Sequence, residues 1–156
     1  MNGRFKLIAH RGNMSGPSER ENEPSYLIEA INKGFDVEVD VWYHHDTDHR
    51  IMLGHDGPQY PTTLEFLKHP AIWAHAKNPE ALEFLLANDI HCFWHQTDYY
   101  TLTSKGFIWT FPNKQLLKNS VYVDLNKRPI IMSEVACGAC CDYLDHITPE
   151  MRGFKK

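Results

Sequence analysis

The chain has 156 residues, of which 42% are hydrophobic and 23% charged, a balance that excludes disorder and a fibrous fold and suits one domain with its own core. Sixteen basic residues against twenty acidic ones give a formal net charge of −4, so no excess positive field exists to hold nucleic acid or an anionic membrane surface. The opening Met-Asn-Gly-Arg-Phe-Lys carries no signal-peptide apolar region, and no apolar run is long enough to span a bilayer, so the expectation is a soluble, cytoplasmic protein without integral membrane association.

In chain order, Lys6–Ala9 is a short apolar run ending in His10-Arg11-Gly12, and residues 12–24 read as a charged, turn-rich loop. From Pro24, which suits a first helical position, Leu27, Ile28, Ala30 and Ile31 have helical spacing and Gly34 supplies the stop. Phe35–Val41 and Ile51–Leu53 are expected strands flanking a polar, hairpin-like stretch at 44–50. Ala71–Ala76 is strand-like, and Pro79–Asn88 is helix-like with Leu82, Leu85 and Leu86 on one stripe. Further expected strands are Ile90–Trp94, Phe107–Trp109, Val121–Val123 and Pro129–Met132. No linker or repeat divides the chain, so 1–156 is expected to be a single domain. Strands alternating with helices suggest βαβ units, and about eight strands suggest a closed barrel. Since such barrels typically need about 250 residues, the expected fold is α/β: a compact (β/α)8 TIM-type barrel with shortened or missing helices in its second half. An open α/β sheet is the alternative.

On the strand Val37-Glu38-Val39-Asp40-Val41 the side chains alternate, so Glu38 and Asp40 share one face. A parallel strand is buried on both faces, and two inward carboxylates need a cation; oxygen ligands suit Mg²⁺ or Ca²⁺. His10-Arg11 and His55-Asp56 each close a strand, where barrel enzymes place catalytic groups. Together these clusters offer a proton donor, a proton acceptor and fixed positive charge, which is what in-line attack at a phosphodiester requires.

The order His10-Arg11-Gly12, Glu21-Asn22, Glu38-Val39-Asp40, His55-Asp56 resembles the glycerophosphodiester phosphodiesterase family, of the barrel superfamily that includes phosphatidylinositol-specific phospholipase C. The resemblance covers residues 7–56 and fades afterwards. It implies a phosphoric diester hydrolase acting on a small phosphodiester, with His10 and His55 as the acid/base pair and a cyclic phosphate as intermediate. It also implies that Arg11 and Lys77 hold the phosphoryl oxygens and that Glu38 and Asp40 bind a divalent metal. The family's Glu-x-Lys strand aligns with His75-Ala76-Lys77, so His75 stands where a third metal-binding carboxylate is expected. A histidine ligand moves the preference toward Mn²⁺ or Zn²⁺, and Glu21 is the alternative third carboxylate. Glu23-Pro24 departs from the residues that follow Asn22 in the family, a local loop change.

In the second half, Trp94, His95 and Trp109 are expected to line a leaving-group pocket, with Glu134 as a further wall residue. His44, His45 and His49 are expected to face solvent. Cys137-Gly-Ala-Cys140-Cys141 reads either as a zinc knuckle or as buried free thiols packed as small hydrophobes in the last strand. Two rival functions follow: a catalytically inactive barrel that binds phosphorylated ligands or metal, and a zinc-stabilised interaction module. A barrel this short leaves gaps that a second subunit could cover, so a homodimer is a further expectation.

Overall fold

Proline and a short polar cap set the two longer helices. In the computed structural model, which describes residues 4–148, 150 and 151, helix α1 spans Pro24–Asn32 with its proline in the first turn and turns Leu27 and Ala30 into the core. Asn78 caps the helix Pro79–Ala87 by accepting from the Ala81 N–H, and the same amide brackets the main chain of Tyr43, so the helix start is fastened to a strand end. A single turn, Leu64–Leu67, starts at Thr63, whose Oγ1 accepts from the Phe66 N–H. The strands in chain order are β1 (Lys6–His10), β2 (Asp36–Tyr43), β3 (Ile51–Leu53), β4 (Tyr60–Pro61), β5 (Ile72–Ala76), β6 (Cys92–Phe93), β7 (Tyr100–Leu102), β8 (Ile108–Thr110), β9 (Ser120–Asp124) and β10 (Gly138–Cys141). With β-strand numbering fixed, the turn at Leu64–Leu67 is α2 and the helix at Pro79–Ala87 is α3.

All ten strands belong to one sheet. Strand β1 lies between β2 and β10, and β2 pairs on its other side with β5, which in turn pairs with β6. Beyond β10 come β9 and β8, all parallel. The end of β2 folds back on β3 and then β4 as antiparallel pairs, and β7 closes the far edge antiparallel to β8.

This corrects the expected (β/α)8 TIM-type barrel. The described residues form a curled, mixed half-barrel of β-strands with three short helices, not a ring of eight βα units. The cause lies in the connections. After β6 the chain turns back as an antiparallel strand, and the segments 111–119 and 125–137 that link β8, β9 and β10 hold no helix. Parallel strands need a helix or an equivalent crossover to cover their outer face, and here only the first half has one. The expected strand Pro129–Met132 is irregular; its Ile131 is exposed, and the Ile130 N–H donates to His146 Nε2 rather than to a neighbouring strand. The place beside β1 belongs instead to β10.

Alternation divides the side chains between two apolar clusters. The convex face carries Leu7, Ala9, Val37, Val39, Val41, Ile72 and Ala74 against α1 and α3. The concave face holds Ile8, Trp73, Phe93, Trp109, Val121 and Cys140, one from each of six parallel strands, with the Phe93 ring stacked on Trp109 at 4.4 Å between centroids. That aromatic layer is a floor. At the next position of the same parity stand polar groups on four of these strands (His10, His75, His95 and Asp142) and apolar ones, Phe111 and Val123, on the other two. Cys140 and Cys141 fall on opposite faces and both are buried free thiols, so they cannot share one ion, and Cys137 lies outside the buried set. Among the described residues, no helix is long and apolar enough to cross a membrane.

Candidate functional site

Parity along the strands builds the site. Glu38 and Asp40 follow Asp36 on the concave face of β2, His75 and Lys77 follow Trp73 on β5, and His10 follows Ile8 on β1. Both carboxylates are buried, Asp40 to 1% exposure. Burying two adjacent charges is costly unless cations face them, and several do. Asp40 meets Arg11 Nε at 3.2 Å, His75 Nδ1 at 3.1 Å and Lys77 Nζ at 3.6 Å, while Glu38 lies 3.6 Å from His75 Nδ1 and 3.9 Å from His10 Nε2. Burial by itself would raise the Asp40 pKa, but His75, Arg11 and the Asn22 amide outweigh it and hold the carboxyl far below the usual carboxylate range.

The loop after β1 is shaped around this pair. Arg11 and Asn22 both adopt left-handed backbone, with φ of 53° and 65°. The turn lets the Arg11 main-chain N–H donate to Glu38 Oε2 at 3.2 Å, while Asn22 donates from Nδ2 to Asp40 Oδ2 and accepts the Asp40 N–H at Oδ1, each at 2.9 Å. Glu21 serves Arg11 rather than the carboxylate pair: one oxygen accepts from Arg11 Nη1 at 3.0 Å and the other from Asn13 Nδ2 at 2.8 Å. Asn13 also reaches Asp142 just beyond β10, at 2.9 Å.

Glu38, Asp40 and His75 offer ligand atoms that all lie within 4.8 Å of one another. The chemistry of this donor set fits a divalent cation on two observations. Asp40 Oδ1 is buried and accepts no well-aligned hydrogen bond, an orphaned lone pair aimed at the cluster. His75 Nε2–H donates to the main-chain oxygen of His95 at 2.9 Å, which leaves Nδ1 as the atom that faces both carboxylates and would ligate an ion that displaces its proton. Its ring plane is fixed by stacking on Phe93, 8° from parallel. In the metal-free chain burial would lower the His75 pKa, but the facing carboxylates of Asp40 and then Glu38 prevail and raise it to about 9, so the ring answers their charge as a cation and a bound ion would take the place of its Nδ1 proton.

The two candidate proton-transfer histidines share a device. His10 Nδ1 is bonded to Asp142 Oδ1 at 2.8 Å, and His55 Nδ1 to Asp56 Oδ1 at 2.7 Å, so each ring keeps Nε2 free of that carboxylate, with Nε2 of His10 3.9 Å from Glu38 Oε2. For His10, burial lowers the pKa, yet the Asp142 bond and the Glu38 charge prevail and raise it. His55 sits in the turn after β3, anchored because the Gly54 N–H donates to the Asp40 carbonyl. Gly54 itself has φ of 152°, and a Cβ there would meet the Gly57 oxygen at 2.0 Å, so only glycine fits.

A cavity of about 450 Å³ gathers His10, Arg11, Glu38, His55, His75, Lys77, His95 and Trp109 around its walls. Trp94 is not brought there. It alternates with Phe93 and His95, and so packs against the convex core. Glu134 is exposed in an irregular segment away from the cavity. His45 and His49 are exposed and His44 half-buried. Sequence reasoning missed Asp142 and Asn13. The signal for Asp142 was a carboxylate two places beyond Cys140, in the parity of the concave face, but the cysteine cluster and the apolar run at 129–132 drew attention elsewhere. Comparison with known protein families, with curated proteins and with solved structures finds no match to this chain.

Proposed function

We propose that this cavity is the active centre of a divalent-metal-dependent phosphodiester hydrolase, glycerophosphodiester phosphodiesterase-like in its chemistry. The observation that carries the reading is the convergence of orphaned Asp40 Oδ1, Glu38 and the oriented Nδ1 of His75 beside two cations and two carboxylate-held histidines. Two carboxylate oxygens and one imidazole nitrogen suit Mn²⁺, with Mg²⁺, Ca²⁺ and Zn²⁺ as other candidates. Held by these three residues, the ion would neutralise charge that builds on the phosphoryl oxygens.

Arg11 and Lys77 flank the carboxylates with fixed positive charge, so a diester entering the cavity is drawn toward that wall. His55, on the open side, takes the proton from the attacking hydroxyl, either water or a neighbouring hydroxyl of the substrate. As the new O–P bond forms and the P–O bond to the departing alcohol breaks, His10 Nε2 gives its proton to that alcohol. Asp142 accepts from Nδ1–H and so holds the His10 ring in place and steadies the imidazolium from which Nε2 gives this proton. Where a substrate hydroxyl attacks first, the product is a cyclic phosphate, which water opens with the two histidines in exchanged roles.

The test is hydrolysis of bis(p-nitrophenyl) phosphate by the dialysed chain with Mn²⁺, Mg²⁺, Ca²⁺ or Zn²⁺ added singly. Metal-dependent release of p-nitrophenol, abolished in His10→Ala, supports the reading. No turnover with any ion, or unchanged turnover in His10→Ala, refutes it and leaves the inactive ligand-binding protein as the better account.

A further inference from the structure

Resting on the phosphodiesterase reading, we infer that the diester this cavity takes is amphiphilic and carries one long alkyl ester group, seated along β8 and β9. The cavity has two unlike walls. Opposite the ionic wall of His10, Arg11, Glu38, His75 and Lys77 stand Trp109, Phe111, Pro112, Val123 and Leu125. Trp109 on β8 and Val123 on β9 are each followed in the same parity by the residue just past the strand end, Phe111 and Leu125, so the apolar wall runs along both strands from floor to rim.

Exposure rises along that wall. Trp109 is buried at 4%, whereas Phe111 and Leu125 at the rim are 38% and 40% exposed. The Tyr99 ring, itself exposed, continues the surface 6.4 Å from Phe111. A compact apolar ester group would fill the floor and leave this track to water. A chain that leaves the floor and runs outward covers it. On the other side of the reacting groups, a second cavity of about 370 Å³ shares Arg11 and His55 with the first, and its remaining lining includes Ser18, Glu19, Asn22 and Asp56. The phosphorus at the junction would therefore have a hydrophilic alcohol on the loop side and the alkyl alcohol on the β8–β9 side.

The experiment measures kcat/KM for glycerophospho-alkyl diesters with methyl, butyl and octyl esters, each below its micelle concentration, using the metal-loaded chain. Full burial of a methylene is worth about fourfold and a half-covered track about twofold, so kcat/KM should rise roughly 100-fold from methyl to octyl. In Phe111→Ser/Leu125→Ser the octyl-to-methyl ratio should fall about tenfold. That ratio is internal to each protein and does not depend on the fraction folded. Measurable cleavage of all three esters with an octyl-to-methyl ratio below about 3, or a ratio unchanged in the double variant, overturns the alkyl track while leaving the phosphodiesterase reading intact. Cleavage of none of these esters, nor of bis(p-nitrophenyl) phosphate, overturns both.

Discussion

Replacing Asp40 with asparagine keeps the shape of the side chain and removes the charge on which the cluster turns. Asp40 faces Arg11, His75 and Lys77 at 3.2, 3.1 and 3.6 Å from a position 1% exposed. Removing one partner of a buried ion pair costs about 3–5 kcal/mol, because the cations stay buried without their counter-charge. For a domain of this size each kcal/mol moves Tm by about 2–4 °C, so Asp40→Asn should melt roughly 6–20 °C below the wild type. The same variant loses one of three ligand groups. At an ion concentration about 100-fold above Kd the wild type gains about 2.7 kcal/mol, a rise of roughly 5–11 °C, and the variant should show almost none of it. Calorimetry of both proteins across a Mn²⁺ titration reads the two effects separately. A variant that melts within about 2 °C of wild type and keeps its full metal-dependent rise would show that Asp40 neither holds the cations nor binds an ion.

Asp142→Asn should lower kcat/KM by about 10–100-fold with an intact fold, because the ring of His10 loses the carboxylate that orients it and steadies its protonated form; an unchanged rate would remove Asp142 from a positioning role. His55 has a 40%-exposed side chain, so His55→Ala should abolish turnover while shifting Tm by no more than a few degrees, and retained turnover would free it of its proton-transfer role. His91, far from the site, is pushed down to about 4, first by burial and then by Lys105 and Lys6. Its unfolded form protonates near 6.5, so the unfolded state binds more protons between pH 4 and 6.5 and native stability falls as pH drops through that window. Urea midpoints should therefore fall more steeply over this range in the wild type than in His91→Phe, and parallel curves would contradict the assignment.

The first half of the fold was legible because its strands and helices are long enough to show their periods. Val37, Val39 and Val41 alternate with the acids of β2, and α1 begins at Pro24 and stops before Gly34. That alternation also placed Glu38 and Asp40 on one face, which is most of the site. Closure of the sheet was not legible, since counting strands says nothing of whether their connections can hold helices. Strand β10 was foreseen only as a place for buried thiols and given no bounds, because Gly138-Ala-Cys-Cys has neither β-branched residues nor length, whereas Ile130-Ile131 has β-branching but spends its hydrogen bonds on His146 and Tyr122. Trp94 was assigned to the cavity from its place at a strand end; the parity of β6 turns it to the convex core and puts Phe93 in the buried layer of the concave face. The irregular loop that carries Asn13 and Asn22 has no period to read, and its role emerges only from the contacts it makes with Asp40 and Asp142.

The most direct measurement is a ³¹P NMR time course of a glycerophospho-alkyl diester with the Mg²⁺-loaded chain and with His10→Ala. The account predicts that the diester resonance gives way to a cyclic phosphate or a monoester in the wild type and persists in the variant. A diester resonance unchanged by the wild-type chain with Mg²⁺, Ca²⁺ or Zn²⁺, and equally in Mn²⁺ reactions whose ion is removed by a chelator before the spectrum is taken, would contradict it.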